Sequence, residues 1–178
     1  AGFGHFTNNI SIGTGAILAP GLAGVGQIGR IHFNHLELNS GGTYEWQIQN
    51  ATSLALDGSD RIGVYGEGTL VINATVESPF SIKIISLNAG GSAGNLSGFD
   101  PSQSYSWILF SYDVMSGSFD PAKFAIDTTG FTNSLAFNEQ GDGAFSVSLV
   151  SLGMYDNYLQ LNFTPVPEPS TYALMALG

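Results

Sequence analysis

Along much of this chain apolar and polar residues alternate, the pattern of a half-buried β-strand whose side chains point to opposite faces in turn. Residues 43–49 (TYEWQIQ) set Tyr44, Trp46 and Ile48 against Thr43, Glu45, Gln47 and Gln49, and residues 80–87 set Phe80, Ile82 and Ile84 against Ser81 and Lys83. The same reading predicts strands over 61–65, 69–76, 105–112, 123–127, 144–149 and 158–163. Residues 27–38 (QIGRIHFNHLEL) start with Ile31 and Phe33 on one parity and end with Leu36 and Leu38 on the other, so a bend or two short strands is expected near Asn34. No segment repeats apolar residues at helical spacing over ten positions, and helix is expected only as a short turn at 121–124.

Between these strands lie residues suited to tight turns: Ser40-Gly41-Gly42, Asp57-Gly58-Ser59, Asn88-Ala89-Gly90-Gly91 and Asp142-Gly143. Two similar tetrapeptides, Gly98-Phe99-Asp100-Pro101 and Ser118-Phe119-Asp120-Pro121, read as turns whose Phe anchors to the core. Many short strands with glycine turns leave a sandwich, a barrel or a β-solenoid. The cadence of residues 15–87, short strand and small turn without long connections, suits stacked coils although it has no fixed period. The expected fold is therefore all-β: a right-handed parallel β-helix over 1–163 followed by an extended Pro-rich tail over 164–178. An antiparallel β-sandwich or jelly roll is the alternative.

Composition narrows function more than fold. The 178 residues carry 14 Asp and Glu against 4 Lys and Arg, a formal charge of -10, and only 10% are charged. Soluble domains usually hold about 25% charged residues. Nucleic acid is excluded as a partner, because affinity for phosphate backbones comes from Lys and Arg, and anionic membrane surfaces are disfavoured for the same reason. The absence of Cys removes disulfides, thiolate metal sites and a Cys nucleophile. At this length a core can form without such staples.

The character of the chain changes at its end, where Pro165, Pro167 and Pro169 precede an apolar run from Tyr172 to Leu177. Alternating prolines favour an extended linker, and the run is far shorter than the roughly 20 residues of a membrane span. Val166-Pro167-Glu168-Pro169-Ser170-Thr171 resembles the start of the C-terminal sorting signal of the PEP-CTERM family of bacterial exported proteins, where Pro-Glu-Pro leads into a hydrophobic helix and a basic cluster. The remainder of that helix and its Arg cluster do not follow Gly178. Stretches such as ILAPG, LNSGGTYEWQIQNA, SDRIGVYGEGTLVINA and FDPSQSYSWIL are similar to the Gly-rich β-strand-repeat proteins that carry this tail, which themselves resemble autotransporter passengers. The resemblance implies a parallel β-helix, Sec-type export with only a transient membrane stage, recognition by an exosortase, and delivery to the cell surface or matrix, often with exopolysaccharide. It implies no activity. Ala1-Gly2 is a small-residue start of the kind that signal cleavage leaves, so a chain processed at both ends is expected.

Motifs of chemistry are sparse. Gly24-Val25-Gly26-Gln27-Ile28-Gly29 spells G-x-G-x-x-G, but the β-rich run after it fits a glycine turn and not a dinucleotide site. His32 and His35 point to opposite faces of an extended strand and cannot share a metal without a bend. Asp57, Asp60 and Asp142 lack the ligand density of a calcium loop and read as turn formers. There is no G-x-S-x-G elbow, and no cofactor or metal is expected. Asn9, Asn50, Asn73, Asn95 and Asn162 begin N-x-S/T tripeptides, candidate glycosylation acceptors that also arise by chance in a chain rich in Asn, Ser and Thr.

These readings lead to a non-enzymatic structural subunit of a secreted fibre, sheath or matrix, with itself as principal partner. Its contacts are expected at the solenoid ends and in the tail, where 166–177, through Tyr172, Leu174, Met175 and Leu177, would pack on an adjacent subunit. The alternative is a surface module that binds polysaccharide through exposed Tyr44, Trp46, Tyr105 or Trp107. A carbohydrate-active enzyme has behind it only the general use of such folds, which is analogy and no site.

Overall fold

Strands form where apolar side chains alternate, and most of the predicted ones are present. A computed structural model of the chain describes residues 3–21, 28–52, 58–138, 141–151 and 157–165. The strands are β1 (Phe3–Ile12), β2 (Ile17–Leu18), β3 (Arg30–Leu38), β4 (Thr43–Ile48), β5 (Arg61–Ile72), β6 (Phe80–Ser86), β7 (Tyr105–Ser116), β8 (Phe124–Gly130), β9 (Ala136–Asn138), β10 (Gly141–Asp142), β11 (Ala144–Ser151) and β12 (Asn157–Thr164). The helical turn is a single 3-10 turn, Pro121–Lys123, started by the Asp120 carboxylate, which accepts from the Ala122 amide at 2.9 Å.

Successive strands alternate between two sheets. The larger has six strands in the order β1-β3-β5-β7-β12-β11, the smaller four in the order β2-β4-β6-β8, and β9 pairs with β10 alone. From β1 to β8 every ladder within these two sheets is parallel. The inner faces meet in one core, where Tyr44 of β4 packs edge-on against Phe110 of β7 at 5.3 Å and Trp46 of β4 meets Trp107 of β7 at 5.8 Å. Burying each such ring contributes on the order of 2–3 kcal/mol. Phe99 and Phe119, the anchors of the two Asp-Pro turns, pack against this core. Polar side chains tie the turns together outside it: Asn73 donates to Asn39 at 3.1 Å and Asn39 to Ser11 at 2.6 Å.

The expectation of a right-handed parallel β-helix over 1–163 is corrected by the last two strands. β12 lies antiparallel to β7 and to β11, so the six-stranded sheet is mixed and ends in a hairpin. The reason is connection length: only residues 152–156 separate β11 from β12, whereas a parallel crossover needs about a dozen residues. The antiparallel sandwich or jelly roll is equally wrong, since β1 to β8 pair in parallel. The architecture is all-β, two facing sheets with parallel ladders and an antiparallel hairpin at one edge. β1 and β2, in a stretch without clean alternation, and the short β9 and β10, where Asp142 reads as a turn residue, are not predicted by the alternation.

The parity change near Asn34 is a register shift within one continuous strand. The β1–β3 ladder slips between Phe6 and Asn9, β3–β5 between Phe33 and Leu36, and β5–β7 between Val64 and Thr69. In β5 the slip consumes residues 65–68 against Asp113 alone in β7, which joins the predicted strands 61–65 and 69–76 into one. Gly68 is obligatory there, because a Cβ would lie 1.1 Å from the Asn34 carbonyl oxygen. Beyond the slip Leu36, Leu38, Leu70 and Ile72 return to the core.

Candidate functional site

The register places two of the chain's four Lys and Arg residues side by side. Arg30 on β3 is the direct partner of Arg61 on β5, and one step along the same outer face the row continues as His5, His32, Gly63, Ser111 and Tyr158 across β1, β3, β5, β7 and β12. Inward neighbours Phe33, Ile62 and Val64 hold this face rigid from beneath.

A cleft of about 190 Å³ opens here, lined by Arg30, His32, Arg61, Gly63, Tyr65 and Ser111. Its floor exists because Gly63 has no side chain: a Cβ would lie 2.5 Å from the Tyr65 ring and 2.9 Å from the His32 ring. The Tyr65 hydroxyl donates to the Ser111 hydroxyl, the Ser111 hydroxyl is also 3.4 Å from the Ile62 carbonyl, and the His32 and Tyr65 rings lie 5.7 Å apart. Burial, then the His5 and Arg30 charges, pull the His32 pKa below 6.5, so the ring is neutral at pH 7 and can both donate and accept. Burial and then Arg30 also lower the Arg61 pKa. Among the described residues the lining contains no acid; His35 pairs with Glu37 at 3.5 Å and Lys83 with Glu45 at 2.9 Å elsewhere on the sheets. The arrangement gathers two guanidinium groups, two hydroxyls and a neutral imidazole around a concave surface.

Immediately before Arg61, Asp60 is fully buried. Its two carboxylate oxygens accept from the Gly29 amide at 2.7 Å and the Gln47 amide at 3.0 Å, and its carbonyl accepts from the Trp46 indole at 2.9 Å. Burial raises its pKa from 3.8 to about 7, against the pull of the two amide bonds. Asp60 is thus not a turn former but a tether joining the entry to β3, the strand β4 and the entry to β5. Asp57 lies outside the described residues, as does the side chain of Asp142.

Of the residues singled out by sequence, 166–171 and 172–177 lie outside the described residues. Asn9, Asn50, Asn73 and Asn95 are exposed, while Asn162 is half-buried and bonds Ser106 at 2.8 Å and Ser148 at 2.8 Å. Tyr44, Trp46 and Trp107 are in the core, and Tyr105 stacks on Trp107 at 5.3 Å, so the aromatic platform expected for sugars is used for packing. His32 and His35 do not converge; among the described residues no group of three or more His, Asp or Glu could hold a metal ion. Among the same residues no helix is long and apolar enough to cross a membrane.

The cleft was missed, yet its signal is present in the sequence. Arg30-Ile31-His32-Phe33 and Arg61-Ile62-Gly63-Val64 repeat Arg-Ile-x-apolar in a chain with few cations, and parallel strands carrying one repeat place its first residues together. Compared with family models, curated proteins and solved structures, the chain finds no match.

Proposed function

We propose that this chain is a non-enzymatic structural subunit of an extracellular fibre, sheath or matrix that joins to further copies of itself through the first strand edges of its two sheets. The supporting observation is Phe6: its register partner Phe33 is buried and stacks on it at 5.3 Å, yet Phe6 itself is 45% exposed at the open end of the core. Ile17 on the neighbouring edge strand β2 is 60% exposed. An edge strand with apolar side chains is a template for another chain. β11, at the far edge of the six-stranded sheet, runs in the same direction as β1, because two antiparallel pairings separate it from β7. β1 of one copy can therefore extend the sheet beyond β11 of the next, and such head-to-tail contacts generate filaments. The Pro-Glu-Pro tail that resembles a sorting signal supports export, and the apolar residues after it are a second contact in this reading.

Electron microscopy and sedimentation of residues 1–178 over a range of concentration test the proposal. Filaments or concentration-dependent oligomers are expected, reduced to monomer by the double substitution Phe6→Lys and Ile17→Lys with an unchanged circular dichroism spectrum. A wild-type chain that stays monomeric throughout overturns it.

A further inference from the structure

All three histidines of the chain lie on one ladder, β1–β3, at the edge that carries Phe6. The slip between Phe6 and Asn9 divides this ladder in two, and the halves hold their histidines differently. In the first half, residues 3–6 of β1, His5 is the direct register partner of His32. His5 Nε2 donates to Asn34 Oδ1 at 2.9 Å, a bond that a charged ring keeps, so His5 stays beside β3 in either state. The other titratable groups facing His32 are Arg30 on its own strand and Arg61 and Tyr65 on β5, with Tyr158 at the far end of the row. No acid stands among the described residues around the cleft beside it. Burial, then the His5 and Arg30 charges, accordingly oppose a proton on His32. In the second half, residues 9–12, Asn9 is the partner of His35, whose ring lies 3.5 Å from the Glu37 carboxylate. A proton there strengthens an ion pair.

We propose that acid releases the first half of β1, residues 3–6, from β3 by charging the His5–His32 pair, while residues 9–12 stay clamped. Histidine is the side chain whose charge ordinarily changes between pH 5 and 8, and like charges directly opposite one another on a sheet are unfavourable. β1 has β3 as its one neighbour in the sheet, so a lost pair is not made good from the other side. The slip supplies the hinge, because residues 7 and 8 stand against Asn34 alone and belong to neither half of the ladder. Phe6 is 45% exposed, and its half of the strand leaves the core with little apolar contact to lose. The consequence for assembly rests on the reading above, in which Phe6 carries the joint between copies: the joint opens in acid and re-forms at neutral pH.

Amide hydrogen exchange of the chain, diluted until sedimentation shows monomer, tests the release at pH 7.5 and 5.5 in low salt. After correction for intrinsic rates, protection of the β1 amides in residues 3–6 is expected to fall about fivefold at pH 5.5, the factor that one like-charge pair on a sheet can reach. Protection in residues 9–12 is expected to stay within about twofold by the same reckoning, since no such pair stands there. The double substitution His5→Gln and His32→Gln should hold residues 3–6 level across the two pH values. His5→Gln alone, at an exposed edge position, gives the same reading should the double variant not fold. At assembling concentrations, sedimentation is expected to show wild type losing oligomer at pH 5.5 relative to the variant, a comparison that cancels Asp60 and the other carboxylates because they titrate in both chains. No loss of protection, an equal loss in both halves, or a loss that persists in the variants overturns the proposal. A wild type that never assembles overturns the assembly reading instead, and exchange in the monomer still scores the histidine pair.

Discussion

The outer faces of the two sheets treat their few cations in opposite ways. On the four-stranded sheet Glu45, Lys83 and Asp127 stand in register across β4, β6 and β8, and Lys83 bonds Glu45 at 2.9 Å. A lone cation there sits between two acids, and the row is complete within the chain. On the six-stranded sheet the register joins Arg30 to Arg61, with no acid among the described lining residues. The backbone differs in degree: in the smaller sheet the β4–β6 ladder runs unbroken and the β6–β8 ladder slips once, between Lys83 and Ile85, while all three parallel ladders of the larger sheet slip at one level beside the cleft. An even β4–β6 ladder whose lone cation stands between two acids is sufficient for packing. Backbone that slips in every parallel ladder beside a concave surface is a common signature of a site.

The largest expected effect breaks the irregular sheet at its slip. Gly68→Ala forces a methyl group onto the Asn34 carbonyl, where the contact is with backbone and cannot be relieved by a side-chain rotation. A loss of at least about 3 kcal/mol is expected in urea unfolding. Ser81→Ala, on the outer face of the smaller sheet, should stay within about 0.5 kcal/mol. Equal losses would mean that the slip carries no special constraint.

The next effect concerns the tether under the cleft. Because the folded pKa of Asp60 stands at about 7 against 3.8, the folded state holds a proton that the unfolded state has released anywhere between those values. Stability therefore falls as pH rises from about 4 to 7, by on the order of 4 kcal/mol, and is level above that window. Asp100 and Asp127, held below the carboxylate range by hydrogen bonds from Ser102 and Thr129, act with the opposite sign only below about pH 4. His32, whose pKa is lowered, also opposes the trend, losing stability as pH falls below 6.5. The Asp60 contribution is thus the difference between wild type and Asp60→Asn in urea midpoints across pH 4–7, and parallel profiles for the two would refute it.

How far the sequence carried these inferences depends on whether a feature is local. β4 and β6 were legible to within a residue at their C-terminal ends because period-two alternation is a property of consecutive side chains. The direction of β12 was not, since pairing is decided between segments and the alternation of 158–163 is the same for parallel and antiparallel neighbours. The parity change near Asn34 was visible and its cause was not, because the extra residues belong to β5. Asp60 followed the same pattern: Asp beside Gly and Ser reads as a turn until Gly29 and Gln47 are brought to its two oxygens. The cleft needed both the Arg-Ile repeat and parallel pairing to be recognised together.

Removing one positive charge from each face should have opposite consequences. Arg61→Gln relieves the like-charge pair with Arg30 while keeping most of the stem, and a gain of up to about 1 kcal/mol is expected in low salt, shrinking as salt is added.

Lys83→Met gives the smallest effect and the clearest contrast. The hydrogen bond to Glu45 and then the Glu45 charge raise the Lys83 pKa above 10.5, so its stabilising contribution is fully present below that value and is lost only as pH rises through the raised pKa. At pH 7 the whole pair counts. Lys83 and Glu45 are 35% and 23% exposed, however, and water screens such a pair to about 0.2–1 kcal/mol. A loss of that size at pH 7, fading with salt, is expected from denaturant midpoints. The two substitutions lie on opposite faces with no shared partner, so their effects should add within about 0.5 kcal/mol and largely cancel in the double variant. If Arg61→Gln and Lys83→Met both destabilise by similar amounts, the arginine row is as well balanced as the lysine row, and the distinction between the two faces fails.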